Sequence, residues 1–408
     1  MRPRSNAMSI ILSDAGSHKH LLPLTFTRPV GQIRPAILRI AEGWYVRSGL
    51  GVGYRTEPYL ATAFPLISTE GTAYEVDAAL FPTDDLVSAV MDLRAGQVLT
   101  AGGRALAFVV EGEAVPNTMD WVEPPAYMRQ VPFNGTVIRY DRPWHLFQHA
   151  GPAIAHDHKL MTEGRRSASL DALNTVIGDP DLIFLDEGAV VEASILNTRN
   201  GPIYIGNGAE VMEGCMVRGP FVLGDHAQLK MGAKIYGPTV IGPGCRIGGE
   251  VNNSVIFGHS NKAHDGFLGN SVLGEWCNLG ADTNNSNLKN TYGEVQVWSH
   301  AEERSVGSGL QFCGAIMGDH SKTGINTMLN TGTVIDVAAN VFGAGFPPKH
   351  IGSFSWGGAG GSEVHAFDKA VATARRVMQR RDLPLTEPEV EILRHVYEQE
   401  VARRSAVS

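Results

Sequence analysis

At 408 residues the chain is longer than one ordinary hydrophobic core supports, so two or three domains are expected. Its charged fraction is 19%, and 42 acidic against 34 basic residues leave a net charge of −8 with no basic stripe, which argues against nucleic acid as a partner. No apolar run approaches the roughly 18–20 residues of a membrane helix and no signal-peptide core is visible, so the chain reads as a soluble cytoplasmic protein without a membrane partner.

The opening MRPRSNAM reads as a cloning-derived extension ahead of Met8 and carries no structural expectation. From residue 8 to about 165 the pattern is mixed α/β. Met8–Leu12 is a short apolar strand running into the turn-prone Ser13-Asp14-Ala15-Gly16. Ile33, Ala36, Ile37 and Ile40 recur at helical spacing up to Gly43, and Leu106–Val110 and Thr136–Tyr140 read as strands. The polar stretch around His156–Ser169 reads as a linker.

From about residue 180 a different rule takes over. Ile205, Val211, Val217, Leu223, Leu229, Ile235, Ile241 and Ile247 lie six residues apart without a break. Four residues after most of them stands a small side chain: Ala209, Cys215, Ala227, Ala233, Thr239 or Cys245. Gly206, Gly224 and Gly242 recur every three hexapeptides. This is the pattern of a triangular solenoid in which each hexapeptide forms one flat side, its aliphatic residue points inward and its small residue fits a corner. The expected fold class is therefore α/β plus β-solenoid, with the solenoid over 180–355.

The phase slips at Glu250–Ser254 and stays irregular through Leu268, Leu273 and Leu279; Asn284 to Gln311 leaves the repeat and reads as a projecting loop. The period returns at Ile316, with Met328 and Val334 in phase. Residues 363–405 carry Val371, Val377, Val390, Ile392, Leu393 and Val396 among many charges, as expected of helices covering the open end of a coil. Cys215, Cys245, Cys277 and Cys313 form no CxxC pair and read as free thiols. Because stacked aliphatics fill a solenoid, a site must lie on an outer face, between subunits or under an external loop. The zone 250–290 and the run Gly318–Asn330 (GDHSKTGINTMLN) supply polar side chains for one.

The segment AHDGFLGNSVLGEWCNLGADT resembles the acetyltransferase half of the bifunctional glucosamine-1-phosphate acetyltransferase/N-acetylglucosamine-1-phosphate uridylyltransferase family. LLPLTFTRPVGQIR, GEVNNSVIFGHSNKAHDGFLGNSVLGEWCNLGADTNNSNLKN and SFSWGG are similar to its variant branch in Bacteroidetes-type bacteria. The resemblance implies a Rossmann-like nucleotidyltransferase domain over 8–165, a trimeric left-handed parallel β-helix with acetyltransferase activity, and a C-terminal helical segment. It implies acetyl-CoA and Mg²⁺ as co-substrate and metal, and a sugar phosphate and a nucleoside triphosphate as small-molecule partners. By position, His264 matches the base that deprotonates the amine of glucosamine 1-phosphate, Asn287 an asparagine that positions the sugar or the base, and Lys230 a phosphate-binding arginine. A base with pKa near 7 suits amine acylation, and Arg246 and Lys262 are further cations for an anionic sugar. A family tyrosine is Leu288 here, and a family lysine falls near Asn252 and Asn253.

In the first domain the family's glycine-rich phosphate loop is reduced to Ala15-Gly16, and Arg28-Pro29 stands where Pro-Lys is usual. Gly16, Lys19, Arg28 and Arg34 are the expected nucleotide contacts and Asp77 the candidate Mg²⁺ ligand. Two other readings stand beside this one. The solenoid could be non-acetylating or regulatory beside a thymidylyltransferase-like domain. Alternatively, His226, His259 and His264 could bind zinc between subunits, as in solenoids resembling γ-class carbonic anhydrases.

Overall fold

The computed structural model describes residues 8–66, 72–111 and 127–407; the MRPRSNA extension lies outside them. The chain divides into two compact units. The first comprises residues up to 21, 28–34 and 38–141; the second comprises 22–27, 35–37 and 142 onward.

The first unit is built on a six-stranded sheet of β1 (Ser9–Ser13), β2 (Val52–Arg55), β3 (Thr72–Asp77), β4 (Gln97–Ala101), β5 (Arg104–Glu111) and β6 (Arg129–Pro132), ordered β2-β1-β3-β5-β4-β6. SIILS is buried at every position, as a central strand covered on both faces must be. Parallel pairing aligns Ser13 with both Arg55 and Asp77, so the chain leaves β1, β2 and β3 at one edge of the sheet. In open α/β sheets that carboxyl edge is where ligands bind.

Several local expectations are corrected here. The apolar spacing at 33–43 does not make a helix; the helix is Ile40–Ser48. Pro35 disfavours helical backbone at Arg34, Ile33 is extended, and the N–H of Ile40 closes onto the carbonyl of Ile33, so these apolar residues bury a loop. Gly43 lies inside that helix, where a Cβ would stand 2.7 Å from Pro82. Thr136–Tyr140 forms only an isolated bridge, Arg139 to Leu80. The expected linker at 156–169 begins as the last turns of helix Ala150–Thr162.

The second unit is a left-handed parallel β-helix whose sides are sheets of six, nine and ten strands. Ile205 pairs with Leu223 and Leu223 with Ile241, eighteen residues per coil. All eight aliphatics of the hexapeptide series are at most 1% exposed, and the six small residues following them are fully buried. At the phase slip the coil shortens without breaking: Ile235 pairs with Val251 (251 − 235 = 16) and Ile241 with Ile256 (256 − 241 = 15). The same shortening pairs Ile247 with Lys262, so a lysine occupies an inward, aliphatic register position.

Beyond Asn285 the coil is interrupted by an insertion that carries an antiparallel hairpin, Gln296–Ser299 with Arg304–Gly307, and it resumes with Leu273 paired to Met317. Helices Phe367–Gln379 and Glu387–Val407 place Phe367, Val371, Val390, Leu393 and Val396 against Val337, Ala338 and Phe354 of the last coils. This covers edge and core that an open coil would expose.

Candidate functional site

A groove of about 650 Å³ runs along the outer face of the ten-stranded side. Three columns of the coil build it. Strand register stacks Arg246, Asn261, Asn278 and Lys322 on successive coils, all pointing outward from the aliphatic core. Behind them a corner column holds His259, Trp276 and His320, each in left-handed backbone at φ between 51° and 62°. That conformation costs a non-glycine residue about 1 kcal/mol or more, and stacking of these rings offsets it. His259 lies on Trp276 at 4.3 Å between centroids and 7° between planes. Gly244 precedes His259 in this column; a Cβ there would stand 2.7 Å from the His259 ring.

The floor is made of small residues. Ala263 and Gly280 line it, and a Cβ on Gly280 would meet the Gly324 backbone at 2.5 Å. The far wall is the end of helix Phe367–Gln379 and the residues after it, which contribute Val377, Arg380 and Arg381.

Electrostatically the groove is one-sided. Lys230, Arg246, Lys322, Arg380 and Arg381 line it, and among the described residues no aspartate or glutamate does. Lys230 donates from Nζ to Gln228 Oε1 at 2.9 Å, and Arg381 Nη2 donates to Asn261 Oδ1 at 3.1 Å. Lys322 donates to the His320 carbonyl at 2.6 Å, and burial pushes its ammonium down to about 8. Burial, reinforced by neighbouring Arg246, also lowers Arg381. Cations crowded into a partly desolvated groove are stabilised by a bound polyanion.

Of the residues singled out from sequence, His264, Lys230 and Arg246 meet in this groove, with the His264 side chain exposed at its edge. Lys262 does not line it. Its side chain is 2% exposed among aliphatics, and Nζ donates back to the His264 carbonyl. Burial pushes this ammonium down to about 8, with Asp265 and Asp282 opposing in part. Asn287 lies outside the groove as well, its amide donating to Asn270 Oδ1 at 2.7 Å. His226, His259 and His264 do not converge within the chain; among the described residues only His300, Asp336 and His350 bring three potential metal ligands together. Trp276, Lys322, Arg380 and Arg381 were not singled out from sequence. The adjacent arginines in MQRRDLP were the signal for two of them, but that stretch reads equally well as a solvated helix end.

In the first unit, Gly16 has φ +84° and Lys19 is exposed, whereas Arg28 and Arg34 are buried at 6% and 7% exposure. Arg34 pairs with Glu42 at 3.4 Å. Asp14, just past β1, accepts from the Val30 N–H at 2.9 Å and from Thr56 Oγ1 at 2.6 Å, and burial pushes its carboxyl up to about 7. Asp77 is fully buried, with one oxygen accepting from the Ala79 N–H at 3.0 Å and the other paired to Arg139. Arg139 also pairs with Asp141 Oδ1 at 2.5 Å, so the cation beside Asp77 is a guanidinium held between two carboxylates, and Asp77 as placed does not fit a protein-held Mg²⁺. No reaction step is assigned to that ion.

Residues 10–166 match the family model described as sugar nucleotidyl transferase. No curated protein matches the chain. Among solved structures it is similar to the UDP-N-acetylglucosamine acyltransferase of Arabidopsis, at 14% identity over 52% of this chain and 80% of that one, TM-score 0.27. It is similar to a hexapeptide transferase family protein of Anaplasma phagocytophilum, at 14% identity over 58% and 91%, TM-score 0.21. A third is AntD, an N-acyltransferase of Bacillus cereus in complex with dTDP and 3-hydroxybutyryl-CoA, at 12% identity over 52% and 92%, TM-score 0.23.

Proposed function

We propose that the β-helix groove acetylates the amine of an amino-sugar phosphate such as glucosamine 1-phosphate, with acetyl-CoA as donor and His264 as general base. The observation that carries this reading is the meeting of His264 with five cationic side chains and, among the described residues, no carboxylate in one groove. Both reactants are phosphorylated, and charge-assisted hydrogen bonds from Lys230, Arg246, Lys322, Arg380 and Arg381 hold them. The imidazole of His264 takes a proton from the ammonium or attacking amine, and the nitrogen lone pair adds to the thioester carbonyl. Collapse of the tetrahedral adduct breaks the C–S bond, and the departing thiolate recovers a proton from the imidazolium. In this reading the active species is a homotrimer.

The first unit transfers a nucleotidyl group from UTP or another nucleoside triphosphate to the sugar 1-phosphate, releasing pyrophosphate. The sugar nucleotidyl transferase match over residues 10–166 supports this part. Lys19, Arg28 and Arg34 are the proposed phosphate contacts. The same match also favours a second reading, in which nucleotidyl transfer is the only activity and the β-helix does not acetylate.

One set of assays separates the readings. Thiol release from acetyl-CoA is followed with glucosamine 1-phosphate, in wild type and His264→Ala, and pyrophosphate release is followed with UTP and dTTP. Removing the base should slow acetyl transfer by about 10²–10⁴-fold while leaving pyrophosphate release unchanged. No thiol release by wild type with any amino-sugar phosphate removes the acetyltransferase, and a fully active His264→Ala removes the base assignment.

A further inference from the structure

Away from the groove, the insertion carrying the hairpin is tied to the β-helix by an unusual arrangement. His300 occupies the turn between the hairpin strands Gln296–Ser299 and Arg304–Gly307. Asp336 follows the coil strand Val334–Ile335, and His350 opens the next strand of that side, where it pairs with Val334. Asp336 is 2% exposed. His300 Nε2 stands 2.9 Å from Asp336 Oδ1, and His350 Nε2 stands 3.0 Å from Asp336 Oδ2. Each imidazole thus faces its own oxygen of one carboxylate.

We propose that His300, Asp336 and His350 bind a divalent transition metal of the zinc class, which clips the inserted hairpin to the coil. Two imidazole nitrogens and a carboxylate are the ligand set that such ions select. The spacing agrees as well. The ligand atoms of the three residues all lie within 4.8 Å of one another, close enough that small side-chain shifts from the 2.9 and 3.0 Å His–Asp contacts bring them around one tetrahedral centre. The rings are also held in place. Trp298 stacks on His350 at 4.5 Å and 6°, and Phe26 meets His300 edge-on at 5.2 Å and 82°. Packing of this kind around ligating histidines fixes their orientation. The three ligands come from separate segments, 36 residues (336 − 300) and 14 residues (350 − 336) apart, so a metal here closes two loops at once. The site shares no residue with the acetylation groove and stands or falls independently of that reading.

The test uses the full-length protein, stripped with a chelator, dialysed, and titrated with Zn²⁺ against a chromogenic competitor and separately with Co²⁺. The expected result is one ion per chain, with visible Co²⁺ bands in wild type. His300→Ala, which alters only a turn, and Asp336→Asn, which keeps a hydrogen-bonding side chain of the same shape, should each weaken binding by about 100-fold. Circular dichroism confirms that both variants fold. Wild type that binds neither ion stoichiometrically overturns the proposal and leaves a hydrogen-bonded His–Asp–His contact. Stoichiometric binding unchanged in both variants overturns it too, by placing the metal elsewhere.

Discussion

Lys262 donates its ammonium to the main-chain carbonyl of His264, two residues on, from inside the aliphatic stack. The lysine stands in register with Ile247, where the repeat calls for an apolar side chain. The hydrogen bond ties Lys262 to the turn that carries His264, and in the proposed reaction it would anchor that turn while leaving the imidazole at the groove.

Replacing Lys262 with Met should raise stability and lower acetyl transfer together. Burial holds the ammonium at about 8 instead of the ordinary 10.5, so the unfolded chain binds this proton more tightly. Below about pH 8 both states are charged and the full penalty, on the order of 3 kcal/mol, is present. Between pH 8 and 10.5 the folded state is already neutral, so this contribution to stability rises with pH. The Met variant lacks that rise. Denaturant unfolding at pH 7 and pH 10 should show it more stable than wild type at pH 7, with the gap narrowing at pH 10. Loss of the anchor should cost about tenfold in kcat. A variant that is less stable at pH 7 contradicts the account.

Arg380 and Arg381 close the groove from the C-terminal helical segment, and Arg381 is hydrogen-bonded to Asn261 on the coil. In the proposed acetyl transfer their contribution is to anion binding and not to proton transfer. Substituting either by Ala should raise KM for a phosphorylated substrate by about 10- to 100-fold, with kcat little changed. The salt dependence of KM should flatten as well. A fall in kcat at unchanged KM would assign these arginines a different role.

Asp14 gives the first unit a stability that falls as pH rises. Its carboxyl is held at about 7 by burial, against an ordinary value of 3.8. Between about pH 4 and 7 the folded state keeps a proton that the unfolded state has lost, so raising pH across this window costs on the order of 4 kcal/mol. The loss is complete above pH 7. Asp14→Asn, which cannot ionise but keeps one acceptor for the Val30 N–H, should remove this slope. Comparing unfolding of the two proteins at pH 4.5 and pH 8 checks it; parallel pH profiles would show that Asp14 does not stay protonated in the fold.

The solenoid was legible because coil geometry constrains two of every six residues: Ile205 through Ile247 satisfy the aliphatic constraint without exception, and the small-residue constraint fails only at Phe221 and Val251. The same rule hid Lys262. Once the coil shortens to fifteen residues, a polar side chain can take the inward register position, and nothing in the local sequence distinguishes it from a surface lysine. His264, Lys230 and Arg246 belong to different coils that meet in the groove; the family resemblance and their charge, not the period, singled them out. Arg380 and Arg381 follow a helix more than a hundred residues later, and Trp276 is itself a left-handed corner residue; neither placement follows from the six-residue period. In the first unit, apolar spacing alone suggested a helix from Ile33, and Pro35 decided otherwise.

The groove floor yields a sharper test of how the coils approach one another. A Cβ on Gly280 would stand 2.5 Å from the carbonyl carbon and oxygen of Gly324 and 2.7 Å from Ile325 N, all backbone atoms that cannot swing aside. Gly232, at a coil corner, has φ +70° but no atom within 4 Å of its missing Cβ. Gly232→Ala should therefore cost only the left-handed strain, about 1 kcal/mol, and leave activity intact. Gly280→Ala must push neighbouring coils apart beneath the groove, costing about 2 kcal/mol or more and disturbing the stack that aligns Asn278 with Lys322. Thermal unfolding of the two variants should rank them in that order, with acetyl transfer impaired in Gly280→Ala alone. Equal losses in both would mean that corner strain, and not coil-to-coil contact, sets the tolerance of this face.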